Sequence, residues 1–404
     1  MFKKSLLVIL ACIFSSYSDA RITAQKEIED YQIGTGEKAI LNSMKESFAN
    51  IRKNRITKEN MDECERHFSQ HTPQDEIWRI QVIGSTFAYK ILCSSCVFHD
   101  PAQRIDIFKK FLKRTIEKYP LSKGIDFFIS FGPDKRTTGE WSKRSEELVR
   151  LLERAPFFLF DMSSDDEIRK RSIQIPDFFI QSPWYADTYK RICEARGRTP
   201  YEKRKDIIKW RGVPTGIAPT LENLPCLNRC KLVLLSKLFP SKIDASFNRY
   251  AAFDHHGTSK KLKTVFEILQ GDPSLPIEPS KLYTETKYNI SLDGNIAAWE
   301  RVAQILTSGS VLLLQYHFSQ YFYHGMKPFV HYVPLKEDIS DVFEKYEWLQ
   351  ENPVLAQKIA ENGQKFADEC LTSSALEKYF GAVLAELSKH YVYTLTESTL
   401  DKAS

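Results

Sequence analysis

Residues 287–315 read KYNISLDGNIAAWERVAQILTSGSVLLLQ and predict a strand, a turn, a helix and a second strand in close succession. Tyr288–Leu292 has the length of a strand and alternates apolar with polar residues, and the turn follows at Gly294. Ile296–Leu306 places apolar residues at the one-face spacing of a helix, which Ser308 and Gly309 end. Because Val311–Leu314 is again an apolar run, the stretch predicts one unit of a parallel α/β sheet.

The turn at Gly294 predicts an anion site. A strand that ends in a glycine turn and opens a helix directs unpaired backbone N–H groups and the positive end of the helix dipole at one place. Glycine also permits close approach of the backbone, so a diphosphate fits there. An ordinary strand-turn-helix packed only for stability has the same pattern, and the pattern alone does not separate the two interpretations.

The run from Lys287 to Asp338 resembles the signature of glycosyltransferase family 90. The resemblance lies in Tyr288, Asp293-Gly294, Arg301, Ser308-Gly309-Ser310 and the segment KPFVHYVP at 327–334. Further on, PVLAQKIAENGQKFADEC at 353–370 is similar to the closing helix of the family. Upstream, WRGVPTG at 210–216 resembles its aromatic-Arg-Gly-x-x-Thr motif, and NRCKLVLLS at 228–236 resembles the helix that follows it. The resemblance is strong over the second half of the chain and weak over the first.

That family holds protein O-glucosyltransferases of the Rumi type, capsule-associated xylosyltransferases and bacterial lipopolysaccharide-modifying enzymes. Membership implies an α/β fold with two Rossmann-like domains that face a cleft, the GT-B type. The expected organisation is a signal peptide over residues 1–20, an acceptor-side domain over 21–200, a nucleotide-sugar-binding domain over 201–370 and a C-terminal helix and tail over 371–404. A chain of 404 residues is long enough for two domains.

The first half alternates predicted helices with apolar strands, which favours a parallel sheet. Helices are predicted over 39–68 and 105–119, and strand-like runs over 74–98, 125–131, 156–160 and 175–180. The largely polar residues 194–206 predict a linker, and the second domain then begins with a strand at 207–210.

The resemblance implies inverting transfer of a hexose or pentose from a UDP-sugar, UDP-glucose or UDP-xylose, to a hydroxyl of a protein, a cell-surface glycan or lipopolysaccharide. Such a reaction needs a carboxylate that takes the hydroxyl proton. Asp134 follows the apolar strand Phe127–Phe131, close to where the family carries its catalytic Asp but displaced by about one position. Asp161, after the next strand, is the second candidate, and either residue equally fits a helix cap or a turn.

Arg211 and Arg301 are the expected partners of the donor phosphates, because a guanidinium offers a fixed fork of donors to phosphate oxygens. In simple alignment Glu300 falls where many family members carry Arg, and Arg301 one step later, a rotation of about 100° on a helix. Arg301 reaches the site if the helix start is shifted. The other expected donor-binding residues are Gly212, Thr215, Asp293, Gly294, Asn295 and Ala297.

Alternative roles remain open for several of these residues. Asp293 fits a helix cap as well as a contact to a ribose hydroxyl, and Gly212 with Thr215 fits a tight turn. His331, between Val330 and Tyr332, is typical of a packed and hydrogen-bonded core histidine. The displaced Asp134 and the Glu at position 300 also motivate a second hypothesis, a catalytically impaired glycan- or protein-binding module on the same scaffold.

Beyond the UDP-sugar co-substrate, no cofactor and no metal are expected. The pair His255-His256 has no third ligand at a matching spacing. The net charge of +5 is a weak excess that favours neither nucleic acid nor an anionic membrane as a partner. In an oxidising compartment, Cys93 would pair first with Cys96 or with Cys64.

The N-terminus has the layout of a secretory signal peptide. Lys3 and Lys4 precede the apolar run Leu6–Phe14, and cleavage is expected after Ala20. An uncleaved anchor and lipidation at Cys12 are the alternatives. The sequence therefore predicts a chain without a stable membrane span after cleavage, located in the lumen of the secretory pathway or in a bacterial envelope.

Overall fold

A computed structural model describes residues 32–71, 76–94, 101–131, 150–163, 171–215, 220, 222–248, 278–294 and 296–396. Asp134, Asn295, Cys96, the His255-His256 pair and the predicted signal peptide lie outside these residues. The helices of the described part are α1 Thr35–Ser47, α2 Ala49–Asn54, α3 Lys58–His71, α4 Pro101–Lys118, α5 Phe178–Gln181, α6 Pro183–Arg198, α7 Asn228–Leu238, α8 Pro279–Thr284, α9 Arg301–Thr307, α10 Val342–Glu351, α11 Pro353–Cys370 and α12 Ser373–Leu387. The strands are β1 Glu76–Ile83, β2 Thr86–Ser94, β3 Ile125–Ser130, β4 Phe157–Leu159, β5 Met162–Ser163, β6 Ile173–Gln174, β7 Lys205–Gly212, β8 Ile243–Phe247, β9 Thr286–Leu292, β10 Val311–Gln315, β11 Phe318–Ser319 and β12 Val333–Pro334.

The chain divides into two compact α/β units. Residues 36–186, 318–325 and 370–396 belong to the first unit, and residues 32–35, 187–317 and 326–369 belong to the second. The division at 186/187 falls inside α6, whereas the sequence analysis placed a domain boundary at 200/201. The predicted α/β class is confirmed in both units.

The second unit is built on a parallel five-stranded sheet in the order β12-β10-β9-β7-β8. Its first strand, β7, has β8 on one side and β9 on the other, so the strand order reverses direction between β8 and β9. In open α/β sheets such a reversal leaves a crevice at the carboxyl ends of the two strands that flank it. Here that crevice lies where β7 and β9 end, at Gly212 and Leu292.

Apolar side chains on both sides of this sheet form the core of the second unit. Strand residues such as Ile208, Ile290 and Leu313 belong to one buried cluster with Leu232 of α7 and Ile359 of α11. Strands covered on both faces by helices are mostly apolar, and β10 is accordingly buried along its whole length and β9 at every residue except Lys287. The core fixes the sheet, and the sheet fixes the loops at its carboxyl edge.

The first unit has a mixed sheet in the order β2-β1-β3-β4-β6. The pairs β1–β2 and β1–β3 are antiparallel, and β3–β4 and β4–β6 are parallel. The expectation of a parallel sheet is therefore wrong for its first half, because the strand-like run 74–98 contains a hairpin that turns at Gly84, with a φ of 62°.

Aromatic side chains fill the core of the first unit. Phe127 stacks on Phe158 at 4.5 Å between ring centroids, and Phe111 stacks on Phe380 of α12 at 5.3 Å. A buried charge cluster lies beside this core, since Arg79 pairs with the buried Asp126 at 2.6 Å. The C-terminal helix is thus part of the packing of this unit.

Three predicted elements differ from the structure. The predicted helix over 296–306 begins only at Arg301, after irregular turns that include Trp299 at a φ of 47°. The predicted strand over 175–180 is instead a three-residue segment without regular structure that follows β6 and leads into the short helix α5. The predicted linker 194–206 contains the end of α6 and the start of β7.

Cys64 is a free, buried thiol, so the proposed pairing of Cys93 with Cys64 is wrong.

Candidate functional site

The candidate site lies in the second unit, in the loops that follow β7 and β9. These parallel neighbours pair with Ile208 opposite Tyr288 and Lys209 opposite Asn289. The loop after β7 carries Val213, Pro214 and Thr215, and the loop after β9 carries Asp293 and Gly294. Both loops therefore start at the same edge of the sheet, at the point where the strand order reverses.

Arg229, in the first turn of α7, ties the two loops together. Its Nε donates to the carbonyl of Asp293 at 3.1 Å, and its Nη2 donates to the carbonyl of Leu292 at 2.9 Å. Its Nη1 donates to the carbonyl of Val213 at 2.9 Å and to the hydroxyl of Thr215. All of these acceptors are neutral, so the hydrogen bonds fix the loops without neutralising the charge of Arg229.

Arg229 therefore brings a buried positive charge to the site. Its side chain is buried, and burial lowers its pKa to about 9, with a further lowering by the charge of Arg301. A guanidinium stays protonated at neutral pH, so the shift expresses the cost of holding this charge away from water. Within the described residues neither Arg229 nor Arg301 is ion-paired with a carboxylate.

Arg301, the first residue of α9, provides the second cation. Its Nη2 donates to the carbonyl of Arg211 at 3.1 Å, whereas its Nη1 is buried and has no hydrogen-bond partner in the described structure. Its guanidinium lies 5.6 Å from the ring centre of Trp210, and the guanidinium of Arg229 lies 6.0 Å from the same ring. The indole Nε1 of Trp210 is likewise buried without a partner in this part of the chain. Buried donors that lack acceptors are costly, and an anion would satisfy them.

The two predicted glycines leave room for the side chains of the site. A Cβ added to Gly212 would lie 2.6 Å from the indole of Trp210 and 3.0 Å from Nη2 of Arg301. A Cβ added to Gly294 would collide with the hydroxyl of Thr215 and lie 2.8 Å from Nη2 of Arg229. Side chains at either position would displace these groups. The N–H of Gly294 donates to the carbonyl of Ile296 at 3.2 Å, so it is used inside its own loop.

The prediction that a helix opens directly at Gly294 is wrong. Arg301, where α9 begins, lies seven positions after Gly294, and Glu300 precedes that helix without capping it through its side chain. Backbone N–H groups of a helix therefore do not form the anion site at Gly294. The positive charge comes from the arginine side chains instead.

Arg211, an expected partner of the donor phosphates, lies beside Asp244 of β8. Its Nη2 pairs with Oδ1 of Asp244 on β8 at 2.6 Å, and its Nη1 donates to the carbonyls of Trp210 and Asp244. The guanidinium is thus held by the neighbouring strand. Only the backbone carbonyl of Arg211 contacts the cluster around Arg301.

The remaining predicted residues of this loop lie at the same edge. The carboxylate of Asp293 accepts a hydrogen bond from the N–H of His317 at 2.7 Å, so it links the ends of β9 and β10 and caps no helix. Ala297 is buried, and its carbonyl accepts from the N–H of Trp299 at 2.8 Å. Arg301 reaches the cluster because the helix start is shifted toward it.

Glu300 adds a carboxyl group beside Arg301. Burial raises the pKa of Glu300 above its ordinary value, and the positive charge of Arg301 offsets part of that rise. The pKa of Tyr283 of α8 is raised mainly by burial, and the negative charge of Glu300 raises it further. At the position where many family members carry Arg, this chain therefore has Glu300, a carboxyl group with a raised pKa next to the cation of Arg301.

His331 is a packed core histidine, as its sequence context indicated. Its Nδ1 accepts a hydrogen bond from the N–H of Lys327 at 2.8 Å, and its ring lies 5.1 Å from that of Phe366. Burial lowers the pKa of His331 to about 3, so the imidazole is neutral at neutral pH. Its position supports the turn before β12.

Of the two candidate bases, Asp134 lies outside the described residues, and Asp161 belongs to the first unit. Asp161 is buried and follows β4 directly, at the carboxyl end of a strand whose neighbours β3 and β6 are parallel to it. A strand end of this kind is where side chains of α/β proteins meet ligands.

Arg229 was missed as a site residue, although its segment was noted for its family resemblance. A usable signal exists in the sequence. A cation in the first turn of a helix opposes the helix dipole, so an Arg at that position needs a compensating role. Here the compensation is the set of carbonyl oxygens that Arg229 joins.

The open parallel sheet, with helices on its faces and a reversal of its strand order beside two buried arginines, defines an α/β unit of the Rossmann-like class. The profile of glycosyl transferase family 90 matches residues 181–399, more than half of the chain. The chain belongs to glycosyltransferase family 90.

Curated relatives agree with this assignment. The chain is 31% identical to mouse protein O-glucosyltransferase 3 over 164 residues, which cover 40% of this chain and 30% of that protein. It is 29% identical to rat protein O-glucosyltransferase 1 over 206 residues, covering 51% of this chain and 47% of that protein. The match thus spans less than half the length of these relatives.

A solved structure, that of Anabaena HepE in complex with UDP-glucose, matches 72% of this chain and 77% of that chain. Its identity is 11% and its TM-score 0.39, too low to support a statement about the site. No helix in the described part of the chain is both long enough and apolar enough to cross a lipid bilayer.

Proposed function

We propose that this protein is a glycosyltransferase that uses a UDP-sugar, and that the crevice at the ends of β7 and β9 holds the diphosphate of the donor. One observation carries the proposal. Among the described residues, Arg229 and Arg301 bring two positive charges to the crevice without forming a salt bridge to a carboxylate, and Nη1 of Arg301 is buried with no acceptor. A diphosphate supplies both the charge and the acceptors that this arrangement lacks.

The same groups would help the reaction as well as binding. When the sugar leaves, negative charge develops on the phosphate, and donors already fixed around it stabilise that charge. Arg229 is held by its carbonyl partners, and Arg301 by the carbonyl of Arg211. Both cations therefore require little rearrangement. Since side chains supply the positive charge, we expect transfer to proceed without a divalent metal.

We propose an inverting mechanism in which one carboxylate removes the proton of the acceptor hydroxyl as it attacks the sugar. Asp134 remains the first candidate and Asp161 the second. In this scheme Asp→Asn at the true base abolishes transfer and leaves UDP binding unchanged. The same substitution at the other position leaves transfer measurable.

We propose UDP-glucose as the donor and a protein serine hydroxyl as the acceptor, with UDP-xylose and a cell-surface glycan or lipopolysaccharide as the alternatives. The names of the mouse and rat relatives, protein O-glucosyltransferases, support this choice. A protein with this activity and with the predicted leader would work in the lumen of the secretory pathway or in a bacterial envelope.

The test is a thermal-shift panel of UDP, GDP, CMP and their sugars, followed by UDP release from UDP-glucose with and without EDTA. Selective stabilisation by UDP and UDP-glucose is expected, since a ligand that binds only the folded state raises its stability. EDTA should leave the rate unchanged. Stabilisation by glycans without any UDP release would instead favour the binding-module alternative, and absence of stabilisation by UDP would contradict the proposed site.

A further inference from the structure

A second group of polar residues lies in the first unit, at the carboxyl ends of β4 and β6. Gln174 ends β6 and stands opposite Leu159 in the parallel pair, two residues before Asp161. β11 pairs with β5, with Ser319 opposite Met162. The sheet register therefore brings Asp161, Gln174 and Ser319 to one edge. None of these residues takes part in the crevice of the second unit.

Gln174 holds the ring of His324 in one orientation. The Nε2 of Gln174 donates to the carbonyl of Ser319 at 2.7 Å, which leaves its Oε1 facing Nε2 of His324 at 3.1 Å. The carbonyl of Ser319 can only accept, so the orientation of the amide is determined. The hydroxyl of Tyr379 in turn donates to the backbone carbonyl of Gln174 at 2.8 Å.

This orientation selects the tautomer of His324. Because Oε1 of Gln174 can only accept, Nε2 of His324 must carry the hydrogen. In a neutral imidazole the other nitrogen, Nδ1, is then an acceptor. Burial lowers the pKa of His324, while the charge of Glu46 on α1 acts in the opposite direction, and the neutral form is favoured near pH 7.

His324 is partly buried and reaches solvent, whereas its bonded partner Gln174 is buried. Its Nδ1 has no partner in the described part of the chain. A buried amide that fixes a solvent-accessible imidazole in one tautomer leaves Nδ1 able to accept a hydrogen bond. A packing role alone would not require the amide to be oriented in this way.

We propose that Nδ1 of His324 accepts a hydrogen bond from the acceptor substrate, at a hydroxyl or N–H group next to the attacking hydroxyl, whose own proton goes to the carboxylate base. The inference rests on the proposed function and names the residue that binds the acceptor. Asp161, one of the two candidate bases, lies at the same sheet edge as Gln174, the partner of His324. Gln174 acts through His324 as a positioning residue.

Two substitutions separate the two nitrogens of the ring. His324→Gln keeps an amide N–H at the reach of Nε2, and so the contact to Gln174, but removes the acceptor at the reach of Nδ1. His324→Asn places an amide oxygen at the reach of Nδ1 and gives up the contact to Gln174. The two variants have similar polarity, and each loses one of the two contacts.

The measurement is the rate of UDP release from UDP-glucose at increasing N-acetylserinamide or methyl β-glucoside, which distinguish a serine from a sugar hydroxyl. His324→Gln should raise the KM for the alcohol about tenfold, which corresponds to about 1.4 kcal/mol, while the thermal shift by UDP stays that of the wild type. His324→Asn should keep KM within about threefold of the wild type.

Equal kinetics of His324→Gln and the wild type would overturn the inference, as would a greater loss in His324→Asn than in His324→Gln. A fall in kcat without a change in KM would also contradict it, since His324 would then bind no acceptor. No UDP release by the wild type with either alcohol counts against the proposed function itself. The two failures are therefore distinguishable.

Discussion

Nη2 of Arg301 donates to the backbone carbonyl of Arg211 at 3.1 Å. Of the two arginines expected to bind the donor phosphates, one therefore reaches the crevice with its side chain and the other with its main chain. Arg211 contributes its main chain, because its guanidinium is paired with Asp244. Arg301 keeps one buried N–H group without a partner among the described residues. The guanidinium of Arg211 is therefore held by β8, whereas that of Arg301 retains a donor without a partner among the described residues.

Arg301→Gln and Arg211→Gln should therefore differ in their effect on UDP binding. Loss of a charged donor to a phosphate costs about 1.5–3 kcal/mol, so we expect Arg301→Gln to weaken UDP binding by about 10- to 150-fold. Arg211→Gln should change it by less than about threefold, since its guanidinium is occupied by Asp244. Calorimetric titration with UDP checks both. A larger loss in Arg211→Gln would show that its guanidinium leaves Asp244 for the ligand.

Arg229→Met should lower the free energy of unfolding. The substitution leaves the carbonyls of Val213, Leu292 and Asp293 without their donor, and we expect a loss of about 3 kcal/mol together with weaker UDP binding. Lys231→Met, on the same helix, removes only an exposed contact to the carbonyl of Asp338 and should change stability by less than about 0.5 kcal/mol. Urea denaturation of the two variants measures the difference. Equal losses of unfolding free energy in the two variants would show that Arg229 does not stabilise the two loops.

His331 should make stability depend on pH. Burial lowers its pKa to about 3 in the folded protein, against about 6.5 in an unfolded chain. Above about pH 6.5 the ring is neutral in both states, and His331 does not reduce the free energy of unfolding. As the pH falls below about 6.5, the unfolded chain binds a proton that the folded protein does not, and the free energy of unfolding falls by up to about 1.4 kcal/mol per pH unit. His331→Asn should be less sensitive than the wild type between pH 7 and 5. Parallel slopes of unfolding free energy against pH would contradict this expectation.

Arg79→Met should destabilise the first unit. Arg79 joins Asp126, which is buried, with Glu65 and Asp62, and its removal leaves a buried carboxylate without its cation, at a cost of about 3–5 kcal/mol. Lys58→Met breaks an exposed pair with Asp62 and should cost less than about 0.5 kcal/mol. Denaturant unfolding compares the two. A loss below about 1 kcal/mol in Arg79→Met would show that the carboxylates are hydrated or protonated without it.

Elements with strong periodicity or a long apolar run were predictable. The helix expected over 353–370 is α11, since proline begins it and its apolar residues return at helical spacing. β9 and β10 are buried runs, as predicted. The helix expected from Ile296 fails because Ile296, Ala297 and Ala298 are buried by irregular turns, and apolar spacing does not distinguish a buried turn from a helical face.

The candidate site was predictable as a set of positions and less so as a set of contacts. Gly212, Thr215, Asp293, Gly294 and Arg301 meet because parallel strands bring their carboxyl ends to one edge. The direction of the Arg211 side chain depends on Asp244 of β8, and this neighbour is known only once the strand order is known. Arg229 and the pair Gln174–His324 depend on contacts distant in sequence, which spacing along the chain does not reveal.

The return of the chain to the first unit has a consequence for how the protein is made. Phe380, in α12, stacks on Phe111 and lies edge-on to Phe158, so an early part of the core is completed by one of the last helices. During synthesis on the ribosome, the half that emerges first must wait for the C-terminal segment before its aromatic layer can close.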